Sequence, residues 1–337
     1  MGQFRYTLLN TAFQILSISK ITRLIRKFSN CKGLIFTLHR VLPDKVAPFQ
    51  PNAILQITPQ FLESAIIKTR ERGFDIVTLD EAQRRICSKQ KEKPFVVFTF
   101  DDAYRDNLTF ALPILQKHKC PFTLYVPTAF VDGKGELWWQ LLEDIISKND
   151  NIISDDGDIK TKTIKQKQKA YDKLYWQMRK IPEPERIKLV RTLAKNHDID
   201  LDSHCQNLIM NWQELEIFAN EPLCTIGAHT VHHYELAKLS AVDVKKEIKL
   251  SADTLEKKLG KRPKHFSYPI GAKSSAGENE YQIAKQLGFL TCVTTLPGGL
   301  YSKHQTQLNH LPRISLNGLF QNKRYLEVFL TGAIFGR

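Results

Sequence analysis

The chain has no apolar run long enough to cross a membrane, no close pair of cysteines and, through residue 43, no acidic side chain. Each absence excludes something. A transmembrane helix needs roughly 18 to 20 apolar residues in succession, and no stretch approaches that. The stretch from Tyr6 to Ile18 is broken by Asn10, Thr11, Gln14 and Ser17, and no small-residue cleavage site follows, so it does not read as a secretory leader. Cys31, Cys87, Cys120, Cys205, Cys224 and Cys292 are scattered, several inside apolar runs, which fits reduced core thiols better than a disulfide framework or a zinc knuckle. There is no internal repeat. Cytoplasmic residence is the expectation.

The acid-free amino end carries Arg5, Lys20, Arg23, Arg26, Lys27, Lys32 and Arg40 within a chain of net charge +14. Ile21, Leu24, Ile25 and Phe28 recur at helical spacing, so residues 1–32 read as a basic amphipathic helix. Such a helix suits peripheral contact with an anionic membrane at its inner face. It suits packing against the protein's own surface equally well. The 337 residues, 42% hydrophobic and 25% charged, have the composition of a soluble globular protein of one large or two ordinary domains.

Against this background one stretch stands out. Phe95-Val-Val-Phe-Thr-Phe is a β-branched and aromatic run that ends in two adjacent carboxylates, Asp101 and Asp102. It reads as a buried strand, and carboxylates at the C-terminal end of a parallel strand are candidates for metal binding or proton transfer. A second apolar run, Leu223 to Ala228, ends in His229, His232 and His233. His229 and His233 are four apart, which lets two imidazoles reach one ion if the chain turns helically.

Around these runs strand and helix patterns alternate. Gly33 to His39 is a strand; Pro59 after Thr58 opens a helix with Phe61, Ile66 and Ile67 on its apolar face; Phe74 to Leu79 is a strand, with Asp80 capping a helix through Ile86. A helix from Leu108 to His118 and a strand from Phe122 to Val126 follow. The rhythm breaks between residues 131 and 219, a charged helical insertion whose first part is set off by a polar linker, Lys148 to Asp158. There Trp138 and Trp139 could stack on sugar rings, although core packing is the preferred reading, and the lysines from Lys160 to Lys173 read as a solvated face rather than a nucleic-acid groove. The alternation resumes with a helix from Val242 to Leu259, a strand from His265, a helix from Asn279 to Gln286 and strands Phe289 to Thr294 and Leu311 to Leu316. Seven or eight parallel strands with helices outside make an α/β barrel.

Thr99-Phe-Asp101-Asp102, His229-Thr-Val-His232-His233 and Phe266-Ser-Tyr-Pro269-Ile270-Gly271, in that order, resemble three motifs of the polysaccharide deacetylase family, the NodB-homology group, and Leu311-Pro-Arg313-Ile occurs in a subgroup of it. The resemblance covers residues 33–130 and 220–318. It implies a distorted (β/α)7-type barrel interrupted by the helical insertion, in two parts, 33–130 and 220–337. It implies one divalent metal ion, zinc by preference, on Asp102, His229 and His233, with Asp101 as general base and Tyr268 and the Ile270 N–H at the substrate and its oxyanion. Spacing alone leaves His232 open as a ligand; the family pattern favours His233. The implied substrate is an N-acetylated, less often O-acetylated, sugar of a glycan or its lipid-linked precursor.

Three positions depart from the pattern. Ala103 stands where the family has glycine. Ser267 replaces an arginine that orients the catalytic aspartate, a role Arg313 can fill. The late histidine that protonates the leaving amine has no clean counterpart, and His310, then His39, are the candidates. Two other readings are a carbohydrate-binding protein of this fold with impaired catalysis and a 2-His-1-carboxylate iron enzyme.

Overall fold

The computed structural model describes residues 30–43, 47–154 and 157–332. The basic amphipathic helix expected within 1–32 thus lies almost wholly outside the described residues. Among the described residues twelve strands occur in chain order: β1 (Gly33–Leu38), β2 (Arg40–Val41), β3 (Gln56–Ile57), β4 (Asp75–Ile76), β5 (Phe95–Phe100), β6 (Phe122–Val126), β7 (Asn151–Ile152), β8 (Ile159–Lys160), β9 (Cys224–Ala228), β10 (His265–Ser267), β11 (Thr291–Pro297) and β12 (Leu311–Ser315). Seven of them, β1, β12, β11, β10, β9, β6 and β5, form a closed ring of parallel strands, because β1 also pairs with β5 along its whole length, Gly33 opposite Phe95 to Leu38 opposite Phe100. β4 is a two-residue spur on the start of β5. Ring closure brings the first and last barrel strands of the chain together beside the Asp101–Asp102 strand.

Helices pack outside the ring and supply its apolar cover. Pro59–Glu71 begins at Thr58, whose hydroxyl accepts from the Phe61 N–H at 3.1 Å. The helix Leu79–Cys87 is capped by Thr78, which accepts from the Glu81 N–H, and not by Asp80; the strand expected over Phe74 to Leu79 shrinks accordingly to β4. Ala241–Leu259 is capped by Ser240 and stopped at Gly260, whose φ of 75° is left-handed backbone that glycine adopts without penalty.

The insertion consists of the helices Trp138–Lys148, Ile164–Lys180, Glu183–Asn196, Leu201–Leu208 and Trp212–Ala219. The expected polar linker instead contains an antiparallel pair, β7 with β8. Trp138 and Trp139 are buried, Trp138 against Tyr175 and Trp139 donating to the Tyr104 hydroxyl at 2.9 Å, so they pack rather than present a face to sugar. Lys165, Lys169 and Lys173 are solvated, but Lys167 is buried, its ammonium on the carbonyls of Ile146 and Ser147 at the end of the preceding helix. Among the described residues no helix is long and apolar enough to cross a membrane.

Candidate active site and metal centre

The chemistry-bearing side chains collect at the C-terminal ends of the barrel strands. β5 stops at Phe100, and the chain turns through Asp102 (φ 75°) and Ala103 (φ 57°), both left-handed. That turn sends two successive carboxylates in different directions, and its third position is one that glycine would adopt without penalty. Here a fully buried Ala103 holds the strained conformation, its carbonyl accepting from the Met210 N–H.

Asp101 points into the barrel and meets Arg313, which has no exposed surface. Arg313 donates from Nη1 to Asp101 Oδ1 at 2.8 Å and from Nη2 to Oδ2 at 2.6 Å. The same guanidinium donates to Thr99 Oγ1, Ser267 Oγ and the Thr294 carbonyl, so every N–H direction is used. Ser267 therefore leaves room for, and accepts from, an arginine delivered by β12. Burial works to raise the Asp101 carboxyl, but the charge and fork of Arg313 outweigh it and hold the group well below the usual carboxylate range.

Asp102 turns toward the histidines at the end of β9. His229 Nε2 and His233 Nε2 lie 3.5 and 3.3 Å from Asp102 Oδ1, and the three ligand atoms are all within 4.8 Å of one another. The Ser267 carbonyl can only accept, so His229 carries its hydrogen on Nδ1, at 2.6 Å from that oxygen, and directs the Nε2 lone pair at the centre. Burial pushes the His233 imidazole down to about 3, keeping it neutral, which is the form that binds metal. Asp102 is buried with them, and its buried Oδ1 has no hydrogen-bond partner. Two imidazole lone pairs and an orphaned carboxylate oxygen facing one another repel unless a cation lies between them. The donor set fits a divalent metal with open positions. His232 is outside this set: its Nδ1 is 2.6 Å from Glu247 Oε1.

Other expected residues fall differently. His310 lies at the start of β12, the opposite end of that strand from the site, with its ring stacked on Tyr281 at 4.9 Å and Nδ1 3.0 Å from Asn309 Oδ1. The structure does not bring it to Asp101 or Asp102. His39 does belong there: it follows β1, whose last residue Leu38 pairs with Phe100, so it leaves the barrel at the same end as Asp101 and Asp102. Tyr268 is also corrected. Ser267 faces the barrel interior, so the next side chain points outward by the two-residue period of a strand, and the Tyr268 hydroxyl donates to the Asn309 carbonyl at 2.8 Å. Ile270 has a left-handed φ of 60° in the turn after β10, at the same end as the metal ligands. Trp139 and Phe130 wall the His233 ring at 5.1 and 5.7 Å, a role that the pairing of apolar residues in sequence does not disclose.

The family profile described as polysaccharide deacetylase matches residues 88–292. Solved structures with the same fold include a Streptococcus pyogenes deacetylase, PplD, in complex with acetate (19% identity, 90% of this chain and 99% of that one, TM-score 0.59). They also include IcaB from Ammonifex degensii (16%, 90% and 98%, 0.56) and the BpsB deacetylase domain from Bordetella bronchiseptica (14%, 85% and 96%, 0.51). No curated protein matches in sequence. With well over half the chain inside the profile, and both first motifs within it, the protein belongs to the polysaccharide deacetylase family, hydrolases that remove acetyl groups from carbohydrate.

Proposed function

We propose that this chain hydrolyses the N-acetyl group of a sugar in a cell-surface glycan or its lipid-linked precursor, using a zinc ion on Asp102, His229 and His233. The observation that carries this reading is the convergence of two imidazole Nε2 atoms on an orphaned carboxylate oxygen, next to a second carboxylate paired with Arg313. A divalent cation held there would supply Lewis acidity to the acetyl carbonyl and make water more acidic. Asp101, charged at neutral pH, accepts a proton from the attacking water. The Ile270 N–H donates to the oxygen that becomes negative as the carbonyl carbon turns tetrahedral. His39 delivers a proton to the departing nitrogen, in place of His310.

The assignment of His39 predicts that His39→Gln lowers kcat by about 100-fold or more, the usual worth of a general acid, and flattens the alkaline limb of the pH–rate profile. His310→Gln should retain both. The reverse pattern would return the role to His310. Substrate class is read from acetate release across N-acetylated oligosaccharides, O-acetylated glycans and lipid-linked sugars; release from the O-acetyl set alone would replace the amide reading with an ester one.

The basic residues from Arg5 to Lys32 support a cytoplasmic protein held peripherally at the inner face of the membrane. Cosedimentation with vesicles containing phosphatidylglycerol, absent with neutral vesicles, is expected; a chain that stays in solution with both refutes the contact.

The competing readings lose their motives. The case for an impaired binding protein rests on Ser267 and the missing acid, and Arg313 and His39 stand in those places. The iron-enzyme reading leaves Asp101 and its arginine without a task.

A further inference from the structure

We propose that Glu247, on the helix Ala241–Leu259, is a positioning residue of the metal centre that fixes the loop carrying His233 and thereby sets metal affinity. The inference rests on the metal-site reading above. The two histidine ligands are held in different ways. His229 is oriented by its own second nitrogen, which donates to the Ser267 carbonyl. His233 has no such acceptor: its Nδ1 is buried and makes no hydrogen bond. The direction of its Nε2 is therefore set by the backbone that carries it and by the aromatic walls around the ring.

That backbone is unfavourable on its own. Thr230 and His233 have φ of 62° and 59°, a left-handed conformation that L side chains avoid. Three sets of contacts hold it. The His233 N–H donates to Thr230 Oγ1 at 3.0 Å. The Thr128 and Ala129 N–H groups, just past β6, donate to the carbonyls of Thr230 and Val231. On a further side stands Glu247: its Oε2 accepts from the Val231 N–H at 3.1 Å and the His232 N–H at 3.0 Å, and its Oε1 pairs with His232 Nδ1 at 2.6 Å. One carboxylate thus accepts two consecutive amides and an imidazole.

Glu247 occupies a place where an acid is costly. It falls within the buried stripe Val244, Ile248, Ser251, Ala252 and Leu255, and is 8% exposed. A carboxylate in that stripe is tolerated because its lone pairs are filled by the loop. Its partners are residues between the two histidine ligands, so this side chain ties the helix directly to the loop of the metal centre.

Groups that orient metal ligands from outside typically contribute about 10- to 100-fold to metal affinity. The test uses the full chain as wild type, Glu247→Ala, Glu247→Gln and Glu247→Asp, with zinc affinity measured by competition against a chromophoric chelator and thermal unfolding of the metal-free proteins recorded alongside. Glu247→Ala should bind zinc about 10- to 100-fold more weakly while still unfolding in one cooperative transition. Glu247→Gln, whose side-chain oxygen still accepts the amides, should lie close to wild type. If the alanine variant does not fold, Glu247→Asp carries the test, since it keeps the charge but withdraws the oxygens by one methylene and should also bind zinc more weakly than wild type. Wild-type affinity in the alanine or aspartate variant, or a glutamine variant as weak as alanine, would overturn the proposal. A wild type that binds zinc but releases no acetate from any glycan would sink the deacetylase reading and leave this result standing.

Discussion

Arg313→Lys should lower kcat by about 100-fold or more, even though lysine keeps the charge and most of the length. A single ammonium cannot reproduce two parallel bonds to Asp101 while also reaching Thr99, Ser267 and the Thr294 carbonyl, all of which the buried guanidinium contacts. Asp101 would keep a counter-charge and lose its orientation. Truncation to Arg313→Ala is harsher, because it strands a carboxylate that is 2% exposed; breaking such a pair from one side costs about 3–5 kcal/mol. The pH dependence has a definite sign. With its folded pKa depressed, Asp101 contributes stability that is complete above the ordinary carboxylate value and is lost as pH falls through the folded value. Without Arg313 the larger remaining influence is burial, which raises the group, so the acid limb of the pH–rate profile should move toward neutrality. Urea midpoints and pH–rate profiles of both variants check this. A lysine variant with wild-type kcat would remove Arg313 from its positioning role.

Much of this site is legible along the chain, because its parts sit at strand ends and strand ends are marked locally. The apolar run Phe95 to Phe100 stopping at two acids, and Leu223 to Ala228 stopping at three histidines, are signals of composition and spacing alone. Arg313 is legible too, since a buried catalytic carboxylate needs a cation and Ser267 cannot provide one. The choice between His39 and His310 is not. It depends on β1 closing the ring beside β5 and on which end of β12 faces the site, and no local pattern encodes either.

Other features carry a quieter local signal. Tyr268 follows an inward-facing Ser267, so strand alternation already turns it away. Glu247 is the one acid in a helical stripe that is apolar apart from Ser251, a pattern that by itself calls for a buried partner. Lys167 is the lysine of its run that falls on the buried face with Ala170, Tyr171 and Leu174. The antiparallel pair β7 with β8 has little to announce it, since each strand is two residues long.

The second large effect follows from the metal centre itself. Stripping the protein should reduce acetate release to background, because the three ligands then repel one another and nothing activates the amide; the loss should be at least about 1000-fold, within the range enzymes draw from such centres. Asp101→Asn should be almost as damaging by a different route. It leaves Asp102, His229 and His233 in place, so zinc should still bind in a one-to-one ratio, yet the amide side chain cannot accept the proton that a carboxylate can, and removal of a general base costs about 100- to 10,000-fold.

The central claim is therefore best tested by acetate release from N-acetylated oligosaccharides and lipid-linked sugars, using wild type and Asp101→Asn, each stripped with chelator and reloaded with zinc. The account predicts release by reloaded wild type alone, with the variant silent despite stoichiometric zinc. Release that persists without metal, or an Asp101→Asn variant as fast as wild type, would contradict it.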